Sequence, residues 1–271
     1  MIKTPEVVIE RVAVARGSGE GLFELAMESV RAVGTDGVGA VIAATFSNPD
    51  RFPSLAVRVA AAANLPVSVP AFDVQMACSA YPYALYLAGR LAADLGQKVL
   101  VVDGDVQMPF VDPADDATNH IFSDACTASV VSVDGDGQSC FDFLSRHDDA
   151  LSCAAGGPIR MDGFKVFSFV ATGVSRFLGD FLAAIPPPDF FVPHQANPYM
   201  IRRLADELSL KDKLLTSPEE FKNPGSCSIP LTLACRGEGL SGKRVMLAGF
   251  GAGYSAVAAL VRLSPHLVAR V

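Results

Sequence analysis

The chain has 271 residues, half of them hydrophobic and 19% charged, with a formal net charge of −7 at pH 7. That composition supports a large core, as one big domain or two similar halves, and excludes a disordered chain. The acidic balance argues against a nucleic-acid partner, which would select a basic face.

Residues 7–14 (VVIERVAV) read as a short strand or an irregular entry segment. Glu20 to Val33 is amphipathic at helical spacing, and Gly34 stops it. Val38 to Thr45 is apolar throughout, as in a strand buried on both faces. Ser47 to Pro53 is a polar loop, and Ser54 caps a helix reaching about Asn64. A short buried strand over 67–72 leads to Cys78, and a helix over Tyr83–Leu95 ends at Gly96. Pro82 falls in that helix's first turn, where its missing N–H costs nothing. Lys98 to Val102 is another buried strand, Met108 to Thr118 an exposed Pro/Asp-rich loop, and Ala125 to Val133 a closing strand. Residues 134–163, rich in Gly, Asp and Ser, read as a connection. A second half then repeats the pattern. A long helix runs from Phe164 to Ile185, followed by a strand over Phe190–Pro193 and a helix over Tyr199–Leu208. A helix over Cys227–Cys235, opened by Ser226, and strands over 244–250 and 255–263 complete it. The expectation is an α/β protein of two matched halves, 1–135 and 164–271, joined by 136–163, with β-sheets sandwiched by helices.

No apolar run reaches the length needed to span a bilayer, and the start, Met1 to Glu6, lacks a signal-peptide pattern. The cysteines, at 78, 126, 140, 153, 227 and 235, form no C-x-x-C pair and have no histidine at metal-ligand spacing. That argues against a zinc site and a disulfide framework. A reduced, cytoplasmic protein with no metal, no cofactor and no membrane is expected.

Three stretches carry chemistry. Cys78 falls at a strand-to-helix junction in FDVQMACSAYP, where unpaired N–H groups and the helix dipole favour a thiolate nucleophile. In FFVPHQAN a buried strand delivers His194 to its C-terminal end, where α/β proteins collect reactive groups. The other histidines, His120, His147 and His266, lie in polar loops or near the tail and read as surface residues. In KNPGSCSIP, Asn223 sits in a polar turn before a helix, and FGAGY at 250–254 makes a tight Gly-rich turn between two strands. The last is too short, and lacks the following helix, for a dinucleotide fingerprint.

These segments, in this order, resemble the β-ketoacyl-acyl-carrier-protein synthase III family of the thiolase superfamily. AFDVQMACSAYPYAL, FPS at Phe52–Ser54 and RMDGFKVFSF at Arg160–Phe169 are similar to it as well, so the likeness runs from about residue 11 to 263. The resemblance implies a thiolase-like, five-layered αβαβα fold of two similar halves, usually a homodimer. It implies Cys78 as nucleophile with His194 and Asn223 as its two partners. It also implies an oxyanion site from the Cys78 N–H and the Gly251–Ala252–Gly253 turn. Phe52 would reach across the dimer and line the partner's acyl pocket. The implied reaction is a decarboxylative condensation of an acyl thioester with a malonyl thioester of acyl-carrier protein or coenzyme A, as in fatty-acid biosynthesis. Cys, His and Asn in this order also occur in papain-like proteases, but those carry a C-G-S-C-W type signature and this chain has no Trp.

The chain departs from the family in several places. It is shorter, without the first N-terminal strand and the segment carrying a Trp and an Arg for the coenzyme A adenine. The family's G-D-G-A-G-A stretch is FSDACTA at 122–128, the Gly before the asparagine is Lys222, and an Arg that helps dock the carrier protein is Tyr199. Arg202 and Arg203, with Lys211 and Lys213, are the basic candidates for that docking. Two other readings stand beside condensation: acyl transfer to an alcohol or amine without elongation, and a non-catalytic subunit of a heteromeric synthase.

Overall fold

The computed structural model describes residues 1–116, 118–237 and 239–271. The first half contributes β1 (Ile2–Arg16), α1 (Leu22–Val33), β2 (Val38–Ala44), α2 (Leu55–Ala62), β3 (Ala71–Val74), α3 (Ala80–Leu95) and β4 (Lys98–Asp105). Then come β5 (Ala125–Asp148), the small pair β6 (Leu151–Cys153) and β7 (Ile159–Met161), and a helix in two α segments, α4 (Gly163–Ser168) and α5 (Ser175–Ala183). A π-helical turn, Phe169–Val174, joins those two segments. The rest is β8 (Phe190–Pro193), α6 (Pro198–Glu207), α7 (Ser228–Cys235), β9 (Arg244–Gly251) and β10 (Gly253–Arg270). Eight strands join in the order β3-β2-β4-β5-β1-β10-β9-β8.

Strand alternation explains the layers. On β4, Leu100 and Val102 face an outer cluster with α1 and α2, including Leu25 and Val59. Val99 and Val101 face the opposite way, into a central cluster with Tyr81 and Leu85 of α3 and Ile229 and Leu231 of α7. On β9, Val245 and Leu247 enter the same central cluster. Met246, Ala248 and Phe250 face a third cluster, with Leu178 of α5 and Leu204 of α6. Helices, sheet, helices, sheet, helices are therefore stacked, as the resemblance implies. The central helix α7 is buried nearly all round, which is why its sequence (SIPLTLAC) carries no charge.

Three local expectations are corrected. The strand predicted over 67–72 is Ala71–Val74, because Pro66 and Pro70 cannot donate to a ladder. The predicted connection over 134–163 is strand as far as Asp148, since β5 pairs along its length with β1 and then β10. One of its glycines has a packing reason. A Cβ at Gly137 would lie 2.5 Å from the Glu6 carboxylate carbon, and Glu6 is buried between Arg244 (2.8 Å) and Arg262 (3.1 Å). The third concerns length and apolarity. The Gly163–Ala183 helix is long and apolar enough, by length and composition, to cross a bilayer. Here Val166, Phe169, Val174, Leu178 and Phe181 pack it onto the sheet as part of an outer layer.

Candidate active site

Cys78 sits in a single 3-10 turn, Ala77–Ser79, between β3 and α3. The turn is tight enough to hold Ala77 at φ 42°, a conformation that costs an L-residue roughly 1–2 kcal/mol. Ser79 Oγ holds it in place, donating to Met76 O (2.9 Å) and sharing a 2.6 Å hydrogen bond with Ser255 Oγ of β10. Strand β9 passes directly against it. A Cβ at Gly251 would lie 3.1 Å from the Cys78 sulfur, and one at Gly249 would lie 2.9 Å from Ser79 Cα.

The expected thiolate is not what this environment favours. Burial, then the charges of Asp105 and Asp103, push the Cys78 thiol up to about 12. The backbone N–H groups of Ala252 and of Cys78 itself point toward the sulfur and oppose that shift. The helix N-terminus is outweighed, so the resting sulfur is a thiol.

His194 ends β8 and is 2% exposed. Its backbone N–H donates to Ala248 O at 2.8 Å. Its Nδ1 lies 2.8 Å from Ser228 Oγ, which accepts the Gln195 N–H at 3.1 Å. Phe250 meets the ring edge-on at 5.7 Å. Burial lowers the imidazole to about 4, against a hydrogen bond to the Gly225 carbonyl that works to raise it, so the ring is neutral at pH 7.

Asn223 is buried and follows Lys222, which adopts φ 47°, ψ −130°. Its backbone is pinned on both sides, with the N–H donating to Ile121 O (3.1 Å) and the carbonyl accepting from Gln107 Nε2 (2.8 Å). Its side-chain Oδ1 accepts the Gly225 N–H at 3.0 Å, which leaves the Nδ2 end as the donor. One short segment thus binds both partners, Asn223 through the Gly225 N–H and His194 through the Ser228 hydroxyl. The turn it opens, Gly225–Cys227, packs against the Cys78 turn. Cys78, His194 and Asn223 converge in this way. An open cleft of about 550 Å³ lies beside the cysteine turn, lined by Met76, Ala77, Ala252 and Tyr254 among others.

The remaining predicted residues lie apart. Phe52 is 85% exposed, in the loop before α2, and lines nothing within its own chain. That loop is nevertheless tied to the cysteine segment, because Asp73 of β3 accepts the Leu55 and Ala56 N–H groups at 2.8 Å each. Arg202 and Arg203 lie exposed on α6 and, with Tyr199 and Asp206, line a separate cleft. Arg203 pairs with Glu207 at 3.1 Å and Lys211 with Asp206 at 3.7 Å, while Lys213 Nζ donates to Pro188 O at 2.6 Å. Sequence reasoning missed Ser228 and Gly225, although both stand in the NPGSCSIP segment, and it missed Asp103 and Asp105 of the V-D-G-D strand end.

Comparison with known proteins gives a consistent answer. Residues 72–148 match the family model of 3-oxoacyl-[acyl-carrier-protein] synthase III, and residues 188–263 match the model of its C-terminal part. The β-ketoacyl-[acyl-carrier-protein] synthase III of Rubrobacter xylanophilus is 30% identical over 284 residues, covering 97% of this chain and 89% of the relative. That of Pseudomonas aeruginosa is 32% identical over 264 residues, covering 88% and 79%. A solved 3-oxoacyl-(acyl carrier protein) synthase III of Pseudomonas aeruginosa PAO1 superposes with a TM-score of 0.87 at 26% identity, covering 96% of this chain and 98% of that one. A 3-oxoacyl-(acyl-carrier protein) synthase of Burkholderia xenovorans LB400 shares the fold at a TM-score of 0.90, with 22% identity and coverage of 100% and 98%. With its cysteine turn, histidine strand and asparagine loop in the positions described above, the chain belongs to the 3-oxoacyl-[acyl-carrier-protein] synthase III family and is an acyltransferase.

Proposed function

We propose that this chain condenses an acyl thioester with a malonyl thioester, with loss of carbon dioxide, through an acyl-Cys78 intermediate. The observation that carries this reading is the gathering of His194 and Asn223 on one segment beside the cysteine turn, with His194 Nδ1 2.8 Å from Ser228 Oγ and Asn223 Oδ1 accepting the Gly225 N–H at 3.0 Å. In the first step the Cys78 sulfur attacks the acyl carbonyl as the thiol loses its proton. The S–C bond to Cys78 forms, and the donor's thiol leaves with a proton. The Cys78 and Ala252 N–H groups hold the oxyanion. In the second step the malonyl thioester loses carbon dioxide, and its electron pair becomes an enolate. Hydrogen bonds donated by His194 and by Asn223 Nδ2 stabilise the enolate oxygen. The enolate carbon attacks the acyl carbonyl, the bond to sulfur breaks, and the cysteine thiolate takes a proton from solvent. A neutral imidazole suits this work, because it donates without being consumed as an acid.

A homodimer in which each Phe52 enters the partner's acyl pocket completes the proposal, and the exposed ring supports it. The test is intact-chain mass spectrometry after incubation with a panel of acyl-coenzyme A and acyl-carrier-protein donors. A gain of one acyl group, absent in Cys78→Ala, is expected, followed by loss of that group and a lengthened product when malonyl-carrier protein is added. An acylated chain that releases its group unextended to an alcohol or amine would favour transfer without elongation. Absence of acylation by every donor would sink the enzyme reading for the isolated chain.

A further inference from the structure

Two carboxyl groups lie behind the site with no cation to balance them. Asp103 and Asp105 occupy alternate positions of β4, so both follow Val99 and Val101 onto the central face. Their exposures are 0% and 1%, and among the described residues neither is ion-paired. Each uses one oxygen and leaves its Oδ2 buried without a partner. The used oxygens hold different things. Asp105 Oδ1 accepts from Thr45 Oγ1 (2.7 Å), Phe46 N–H (2.9 Å), Ser47 N–H (3.1 Å) and Ser47 Oγ (2.9 Å), gathering the loop after β2. Asp103 Oδ1 makes one side-chain bond, with Ser226 Oγ.

Ser226 is the middle residue of the Gly225–Cys227 turn. That turn supplies the N–H that fixes Asn223, and the next residue, Ser228, carries the hydroxyl on His194 Nδ1. We propose that Asp103 is a positioning residue for the condensation step, clamping Ser226 and through it the turn that aims Asn223 and His194. The inference rests on the acyltransfer reading above and names a residue that reading does not use.

The chemistry of the clamp follows from its surroundings. Burial, and secondarily the neighbouring Asp105, hold the Asp103 carboxyl well above its ordinary range against the Ser226 bond. The Ser226 hydroxyl donates to Oδ1. The carboxamide oxygen of an asparagine can accept that bond, and an alanine cannot.

The test separates two rates in the full chain. Cys78 acylation is followed by intact mass, and condensation is followed after malonyl thioester is added to preloaded acyl-enzyme. Ser226→Ala is expected to slow condensation by up to about 10²-fold through misplaced donors, with acylation unchanged, and Asp103→Ala to slow condensation more than acylation. Asp103→Asn is expected to restore most of the condensation rate. Ser226→Ala, which deletes one hydroxyl, keeps the test open should Asp103→Ala fail to fold. Equal losses in both rates for Ser226→Ala, an unchanged condensation rate, or no rescue by Asp103→Asn would overturn the assignment. A wild-type chain that takes no acyl group would instead overturn the acyltransfer reading beneath it.

Discussion

Ser228 Oγ lies 2.8 Å from His194 Nδ1 and accepts the Gln195 N–H at 3.1 Å. One hydroxyl on α7 thereby fixes the ring and the backbone that follows it. With one lone pair taken by Gln195, the hydroxyl still offers both its proton and a second lone pair to Nδ1, so it orients the ring in either tautomer.

Ser228→Ala should therefore damage condensation more than acylation. The ring loses its orienting partner, and a misaimed donor costs up to about 10² in rate. The orphaned Gln195 N–H and imidazole nitrogen add a stability loss of about 1–3 kcal/mol. Single-turnover rates for each half-reaction, with a urea melt of the same sample, check both parts. Equal losses in both half-reactions would show that Ser228 supports the fold and does not aim the ring.

Lys222 occupies a backbone conformation suited to glycine, with φ 47° and ψ −130°. An L side chain there costs of order 1–3 kcal/mol. Lys222→Gly should raise stability by about 1 kcal/mol after the greater freedom of glycine in the unfolded chain is subtracted. The expected sign is a higher urea midpoint at constant m-value. Lys222→Ala keeps the Cβ and should gain nothing.

Much of this was legible before any coordinates. The junction holding Cys78, the strand delivering His194 and the loop holding Asn223 all stand where the apolar runs, Pro82 and the glycines place them. Short-range patterns are visible because they are written in adjacent residues. The ionisation of Cys78 was not visible, because it depends first on burial and then on the charge of Asp105, which comes from a different strand. The extension of β5 through Gly135 and Gly137 was hidden for a related reason. Its polar, glycine-rich composition reads as loop, and only the pairing with β1 and β10 makes it strand.

The acid limb of the stability curve should carry the signature of His194. Its folded value, about 4, lies below the ordinary 6.5. Below pH 6.5 the unfolded chain binds a proton that the folded chain refuses. The neutral histidine's contribution is complete above that pH and is lost as the pH falls toward 4. At 1.4 kcal/mol per pH unit the loss approaches about 3 kcal/mol. Asp105, raised to about 6, acts in the opposite direction over an overlapping range, so the wild-type curve alone hides the effect. The stability difference between wild type and His194→Asn, measured by urea melts from pH 7 to pH 4, isolates it. A difference that does not change with pH would mean that the folded histidine titrates normally.

Of the basic candidates for carrier docking, Arg202 is the one with neither an ion pair nor a hydrogen bond among the described residues, since Arg203 and Lys211 are held by Glu207 and Asp206 and Lys213 Nζ donates to Pro188 O. Arg202→Glu should weaken an acidic carrier protein by about 1 kcal/mol, roughly five-fold in affinity at low salt, with the effect shrinking as salt rises. Acylation by a coenzyme A donor should be unaffected. Surface plasmon resonance with carrier protein at two salt concentrations reads the first part, and intact mass reads the second. An unchanged carrier affinity would place the docking surface elsewhere.

Gly251 offers the sharpest test of the cysteine's surroundings. A methyl group there would stand 2.8 Å from Cys78 Cβ and 3.1 Å from its sulfur, closer than real carbon atoms pack. Both neighbours are constrained, because the cysteine turn is pinned to β10 through Ser79 and Ser255, and β9 is paired with β8 and β10. Neither can retreat without breaking a ladder or the turn. Gly251→Ala should therefore fold, with a stability loss of about 1–3 kcal/mol for overpacking. Displacing the sulfur from its N–H donors should reduce Cys78 acylation by about 10²-fold or more. Gly249→Ala, whose methyl would press on Ser79 Cα at 2.9 Å and lie 3.3 Å from Cys78 O, supplies the comparison. It should cost similar stability and less acylation, because its clash falls on the turn and not on the sulfur. Equal acylation losses in the two variants would mean that the turn moves as one piece and that Gly251 has no particular claim on the reacting atom.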